Sequence, residues 1–333
     1  MKKVLFSLLV MVLLASGVVS AAAWWYVNRP LPLSQPVVDF TVERGANMRQ
    51  AAQAIALAGV GVEPQLLYWL ARIQGKAAMI KAGSYEVGPG ITVQGLILKL
   101  SSGDVSQGEL LFPEGWTFRQ IRAAIEAHPD LNPDTAGLTE AEILARIGAT
   151  ASHPEGLFFP DTYLFDKRSS ALALLARAHH SMQQKLDEVW AERDPALPLT
   201  SAYELLILAS IVEKETGRPE DRGLVASVFT NRLRIGMRLQ TDPTVIYGLG
   251  DRYDGRLRRI HLETDHPWNT YTRAGLPPTP IAIPGLASLR AAVKPEKSDF
   301  LYFVARGDGS SQFSRNLDEH NRAVNRYIRG GGS

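Results

Sequence analysis

Two glutamates at the end of an apolar run are the residues of this chain best placed to do chemistry. Leu206-Ile207-Leu208-Ala209-Ser210-Ile211-Val212-Glu213-Lys214-Glu215-Thr216 reads as a helix that is apolar almost all round and delivers two carboxyls within its last turn. Such a helix has no solvated face and is expected to be buried. A buried carboxyl is costly unless paired or neutral, and its pKa rises. A Glu placed there is either satisfied by a partner or serves as an acid near neutral pH. At about 100° per residue, Glu213 and Glu215 point to nearly opposite sides, so only one of them faces a given cleft. Glu215 stacks over Ile211 and Val212, whereas Glu213 stacks over Ala209 and Ser210. The stronger desolvation is therefore predicted at Glu215. Pattern sets a helix end only to within a residue or two, which keeps Glu213 as the alternate acid.

The elements that position this helix end follow in order. Thr216-Gly217 can close the helix, because Gly takes the left-handed cap conformation cheaply. A further helix runs from about Glu220 to Ile235, with Leu224, Val225, Val228, Phe229 and Leu233 on its inner face. Asp242-Pro243 then reads as a helix start, with Asp242 at the N-cap and Pro243 at the first helical position. The other reading of Asp242 is a contact with substrate. Gln240, Thr241, Thr244 and Tyr247 bracket that turn with an amide, hydroxyls and an aromatic face, a mixture that suits sugar. Asn269-Thr270-Tyr271 and the Pro- and Gly-punctuated run Gly275 to Gly285 form a rigid wall, which adds Asn269 and Tyr271 to the candidates. Phe300 to Ala305 reads as a buried strand, Gly307-Asp308-Gly309 as a hairpin turn, Ser311 to Ser314 as the return strand, and Asp318 to Ile328 as a closing helix.

Several tempting sites carry a plainer reading. His261-Leu262-Glu263-Thr264-Asp265-His266 lacks the His-Glu-x-x-His spacing and runs into Pro267, so a solvated loop is expected and no metal site is assigned. Arg232, Arg234, Arg238 and Arg252 are expected to be solvated on helix surfaces. The chain has no Cys, which removes disulfides, thiol nucleophiles and Cys-based metal sites. Its 36 basic against 34 acidic residues leave no strong field, so no nucleic-acid partner is implied.

The N-terminus runs without a charge from Val4 to Val27, 24 residues, where spanning a hydrocarbon core takes roughly 20. A cleaved signal would use Ala21-Ala22-Ala23. A retained anchor would use Trp24-Trp25-Tyr26 at the far interface, with Lys2 and Lys3 in the cytoplasm. The length and the aromatic belt favour the anchor, and either way the body is exported. Arg29 to Pro36 is a Pro-rich connector expected to be extended and semi-rigid. Val37–Val42, a helix through Ala58, a helix at about Pro64–Ile73, Gly83–Val87 and a helix at Thr92–Leu100 give a strand-helix-helix-strand order. That order and size resemble a LysM-type unit, which would imply contact with N-acetylglucosamine polymers; the plainer reading is an α+β spacer. The tail Gly330-Gly331-Gly332-Ser333 is expected to be a flexible end.

Ala209-Ser210-Ile211-Val212-Glu213-Lys214-Glu215-Thr216, then Val225 to Leu233, then Met237 to Gly248 resemble the YceG-like family of endolytic murein transglycosylases. Asn269-Thr270-Tyr271, Gly275-Leu276-Pro277-Pro278 and Leu301-Tyr302-Phe303-Val304-Ala305 resemble its later blocks. The one departure is the Arg218-Pro219-Glu220-Asp221 linker. The resemblance implies an α+β protein: a transmembrane anchor at 1–28, a LysM-like βααβ domain at 37–105, a connecting α/β segment at 106–150 and a mixed α/β catalytic domain at 151–329. It implies Glu215 as the catalytic residue, with Gln240, Thr241, Asp242, Thr244, Tyr247, Asn269 and Tyr271 binding substrate. It further implies peptidoglycan strands as substrate, no cofactor, location at the inner membrane with a periplasmic body, and cell-wall synthases (penicillin-binding proteins) as partners. One carboxyl suffices for this chemistry, since the muramic acid's own 6-hydroxyl attacks C1 and leaves a 1,6-anhydro end. Two rivals remain open. A hydrolytic muramidase needs a second carboxylate, with Asp242, Asp221 and Asp161 as candidates. A non-catalytic glycan-binding scaffold would instead pair Glu215 with a buried arginine.

Overall fold

The chain runs from α1 (Lys2–Asn28) to a short closing helix, and the computed structural model describes residues 2–215 and 218–330. Thr216 and Gly217, expected to close the helix carrying Glu215, lie outside the described residues, as does the tail 331–333. The chain forms two compact units. One comprises residues 1–108 and 164–169, the other 109–163 and 170–333.

In the first unit, α1 includes one stretch, Val10–Asn28, that is long and apolar enough to cross a membrane. Along it Leu13 and Trp24 are exposed, while Tyr26 packs against the core of this unit. The connector that follows is not a free spacer. Leu31 is buried, its N–H donates to the Ile91 carbonyl at 2.8 Å, and the Ser34 N–H donates to Gly59 at 2.9 Å. Burial of Leu31 and those backbone donors outweigh the extended freedom that the prolines suggest.

Beyond it, β1 (Val38–Val42) pairs antiparallel with β2 (Gly83–Val87), with Phe40 opposite Tyr85 and their rings stacked at 5.5 Å. Between them lie α2 (Met48–Leu57), whose N-cap Asn47 forms a reciprocal capping box with Gln50, and α3 (Pro64–Ile73), which has Pro at its start. The helix α4 (Val93–Ser102) follows β2, capped by Thr92 and ended by Gly103 in the left-handed conformation. Alternation in β1 sends Val38, Phe40 and Val42 inward against Ile55, Leu67, Leu96 and Leu100, so this unit has its own core.

The second unit is mostly helical: α5 (Phe118–Ala127), α6 (Glu140–Arg146), α7 (Ala171–Ala191), α8 (Ala202–Glu215), α9 (Arg222–Arg234), α10 (Asp242–Leu249), α11 (Arg259–Glu263) and α12 (Leu286–Val293). A hairpin of β3 (Tyr302–Ala305) and β4 (Ser311–Ser314) precedes α13 (Leu317–Val324), with Phe303 opposite Phe313. The position of α8 explains its composition: α7, α9, α10 and α12 all pack against it, and Leu205 through Val212 are all buried. Its one polar residue in that stretch, Ser210, donates to the Ile207 carbonyl at 2.7 Å and accepts the Ile281 N–H at 3.0 Å. The rigid wall is clamped in turn by the 113–116 turn, where Gly115 donates to Ile283 and Ile283 to Trp116, each at 2.8 Å.

Candidate active site

Glu215 ends α8 on the side facing the turn before α10. Its Oε1 accepts a hydrogen bond from the Thr241 hydroxyl. Burial pushes its carboxyl above the usual range, the Thr241 hydrogen bond opposes that rise, the nearby Asp242 charge adds to it, and Arg232 counters it. Glu213 leaves the helix on the other side, where its Oε2 accepts the Gly285 N–H at 3.0 Å. The two carboxyls thus face different partners, as the helical angle requires.

The carboxyl of Glu215 opens on a cavity of about 380 Å³, lined also by Arg232, Gln240, Asp242, Tyr271, Tyr302 and His320. Thr241 is buried, and its backbone N–H is held by the Thr270 hydroxyl at 3.1 Å. Gln240 is exposed at the rim with φ of +47°, in a left-handed conformation uncommon for a residue other than Gly. Its N–H donates to the Thr270 carbonyl at 3.1 Å, which holds the turn in that shape. The Tyr271 hydroxyl donates to Asp242 Oδ1 at 2.6 Å, joining the two walls of the cavity. Among the three carboxylates considered as a second acid or base, only Asp242 lines this cavity. Asp221 accepts the Ser311 N–H at 2.7 Å, and Asp161 accepts the N–H of its neighbour Thr162 at 2.7 Å.

The remaining candidates fall elsewhere. Thr244 is fully buried, its hydroxyl 2.8 Å from the Thr241 carbonyl and 2.9 Å from the Thr270 hydroxyl, so it braces the turn from beneath. Asn269 is also fully buried, and its amide ties the carbonyls of His261, Leu262 and Thr264 while its oxygen accepts the Tyr271 N–H. Tyr247 lines a different cavity, with Trp268 and Glu155. The helix start is also shifted by one residue: Thr241 is the N-cap and Asp242 the first helical residue. That frees the Asp242 carboxyl for Tyr271, because neither it nor Thr241 caps the helix with its side chain.

Two basic side chains of the cavity escaped the sequence reading. Arg232 is not a solvated surface arginine but 7% exposed, with Nε on the Leu301 carbonyl at 2.7 Å and Nη1 on the Leu239 carbonyl at 2.5 Å. Its guanidinium also lies 5.2 Å from the Tyr302 ring. His320 stacks on that same ring at 5.1 Å, and burial followed by the Arg232 charge lowers its pKa. Nothing in the spacing of the last helix marks His320. Arg232 could have been suspected from its place among Val228, Phe229 and Leu233 on a helix with two buried sides. The stretch His261–His266 is partly helical as α11 rather than a loop throughout, and among the described residues no group of three or more His, Cys, Asp or Glu could hold a metal.

The sequence model of the YceG-like family matches residues 40–326, nearly the whole of the second unit and the first unit from β1 onward. This chain belongs to the YceG-like family. Its fold is similar to a crystal structure of a YceG-like protein from Listeria monocytogenes, with 30% identity, a TM-score of 0.54, and coverage of 87% of this chain and 99% of that one. The chain is 31% identical over 319 residues to the endolytic murein transglycosylase of Bacillus subtilis, covering 89% of this chain and 86% of the relative. It is 26% identical over 332 residues to the endolytic murein transglycosylase of Streptococcus pneumoniae strain D39, spanning 59% of that longer protein. Within this YceG-like chain, Glu215 and the turn that faces it lie inside the matched region.

Proposed function

We propose that this YceG-like protein is a peptidoglycan lytic transglycosylase, a carbon–oxygen lyase that cleaves the N-acetylmuramic acid–N-acetylglucosamine bond within glycan strands. The names of its relatives from Bacillus subtilis and Streptococcus pneumoniae support the activity. The observation that carries the chemistry is a single desolvated carboxyl, Glu215, held by a hydroxyl and lying close to a buried arginine on an open cavity.

Protonated Glu215 donates its proton to the bridging oxygen as the C1–O bond breaks. The carboxylate that results accepts the Thr241 hydroxyl hydrogen bond and is favoured by the Arg232 charge. The 6-hydroxyl of the same muramic acid then bonds to C1, and its proton returns to Glu215. No water enters, and the product carries a 1,6-anhydro end. Substrate proximity replaces a second carboxylate. Gln240, Asp242 and Tyr271 form the rim that orients the sugar, with Thr241 acting through Glu215. The test is mass analysis of products from purified strands, since anhydro and reducing ends differ by one water. Anhydro ends that vanish in Glu215→Gln support the proposal, and reducing ends overturn it in favour of hydrolysis. That second reading draws on one observation, that Asp242 lines the same cavity as Glu215.

Four further proposals attach to this reading. The apolar α1 is a retained single-pass anchor of the inner membrane that holds the body in the periplasm; recovery of a mature form starting near Trp24 would refute it. Residues 37–105 act as a LysM-like glycan-binding domain, supported by the order β1-α2-α3-β2 and by a cavity of about 370 Å³ where β1 leads into α2. The catalytic domain occupies 151–329, to which the connecting segment 106–150 contributes the clamp on Ile283. Deleting 37–100 should weaken glycan binding while Glu215-dependent cleavage remains detectable. Cell-wall synthases are the expected partners, tested by co-purification of the full chain with penicillin-binding proteins.

A further inference from the structure

A second cavity, of about 610 Å³, lies in the same unit as the Glu215 cavity and shares a helix with it. Asp242 lines the first cavity, and Ile246 lines the second. These residues are four apart on α10, so they share one face of that helix. An eight-residue helix is about 12 Å long, so the second cavity begins within a few sugar units of the reacting bond.

Its walls have the chemistry of a saccharide site. Tyr247 and Trp268 meet edge to face at 5.7 Å, and their polar ends are tied inward. The Trp268 Nε1–H donates to the Thr279 hydroxyl at 2.9 Å, and the Tyr247 hydroxyl lies beside the Glu155 carboxyl. What these two side chains offer the cavity is therefore ring surface, which suits the apolar faces of pyranose rings. Around them stand side chains that accept and donate. Gln120 spends its oxygen on the Thr117 N–H at 2.9 Å, leaving its amide hydrogens. His153 accepts the Glu155 N–H at Nδ1, which makes Nε2 its donor. Glu140, exposed at the start of α6, and Glu155, only 3% exposed, supply carboxyl oxygens. Glu155 Oε1 already accepts the Phe118 N–H at 2.9 Å, which fixes its position. Asp251 on the same rim is matched by Arg119, which leaves the acceptors Glu140 and Glu155 set beside the Gln120 and His153 donors. Hydroxyls, which both donate and accept, fit such a set better than an ion does.

We infer that this cavity is a distal saccharide subsite, which binds N-acetylated hexosamine units of the same strand beyond the bond presented to Glu215. The inference rests on the transglycosylase reading and extends it. Binding sugar that far to one side of the cut favours internal bonds over terminal ones, which gives the site a role in cutting within strands.

The experiment uses the full-length protein in detergent and peptide-free glycan oligomers of increasing length. For the wild type, kcat/KM should rise once the oligomer is long enough to reach the second cavity. In Glu140→Ala and in Trp268→Leu, the ratio of long-strand to short-strand kcat/KM should fall about tenfold, the scale of losing one good pocket contact. Glu140 is exposed, so its variant keeps the test alive if Trp268→Leu fails to fold. An unchanged ratio in folded variants overturns the inference. So does a length gain that appears only with peptide-bearing strands, which would make the cavity a peptide site. Absence of anhydro product from every wild-type reaction would instead sink the transglycosylase reading. In that case, binding of long against short oligomers to Glu215→Gln, with and without Glu140→Ala, still decides the cavity.

Discussion

The two sides of the α8 C-terminus hold their carboxyls in different ways. On the Glu213 side the partner is the backbone N–H of Gly285, the N-cap of α12. A backbone amide only donates, so it fixes the carboxyl oxygen it meets in place. Glu114 crowds the same position: a β-carbon on Gly285 would lie 1.8 Å from Glu114 Oε1. Burial, and then the Glu213 charge, push the Glu114 carboxyl up. On the Glu215 side the partner is the Thr241 hydroxyl, which can donate to a carboxylate or accept from a carboxylic acid. Only that side is able to serve both protonation states without moving its neighbours. A fixed donor suits structure, and a reversible one suits acid–base chemistry.

The largest expected effect breaks or keeps this comparison outright. Glu215→Gln preserves shape but removes the transferable proton, and anhydro-product formation should fall by on the order of 10²–10⁴ or more, since one group serves both steps. Glu213→Gln should cost far less. A dead Glu213→Gln beside an active Glu215→Gln would reverse the assignment.

The next effect is in stability, and it tests the rule on a third carboxyl. Glu155, like Glu213, accepts a backbone N–H, yet burial pushes it up to about 7. A carboxyl whose folded pKa is raised keeps its proton when the chain folds, so its contribution is full below the unfolded value near 4.5 and is lost as pH rises toward 7. Wild-type unfolding free energy should fall by about 3 kcal/mol from this group between pH 4 and pH 8. Glu155→Gln should flatten that component, as read from denaturant curves of both proteins at each pH. An unchanged slope would mean that Glu155 stays charged and well solvated.

Smaller again is Glu213→Ala, which leaves the Gly285 N–H without its acceptor. A cost of about 1–2 kcal/mol is expected, reduced by relief of Glu114. A stabilised variant would show that carboxyl crowding outweighs the hydrogen bond. Smallest is Thr241→Val. Losing the bond that lowers the Glu215 pKa should move the alkaline limb of the kcat profile to higher pH, because the acid stays protonated longer. A shift to lower pH would remove Thr241 from the acid's environment.

Much of this was legible in the sequence. Alternation and helical periodicity located β1 through α4 to within a few residues, and the solid apolar run of α8 announced its burial. The 100° step separated Glu213 from Glu215 before any partner was known. These are local properties, carried by each residue's neighbours in the chain. Contacts made across tens of residues were not legible. Arg232 is buried where the Leu301 carbonyl meets it, and Leu31 docks the connector because Ile91 lies beside it. Asn269 and Thr244 read as ligands by type, yet their polar atoms are spent on their own walls. Tyr247 sits on the same helix as Asp242 but opens on another cavity, and His320 reaches the site from the last helix without any pattern to mark it. The sequence by itself determined which helix is buried and which carboxyls end it. Only the tertiary structure decided what each carboxyl meets, because a hydrogen-bond partner is set by packing and leaves no period in the chain.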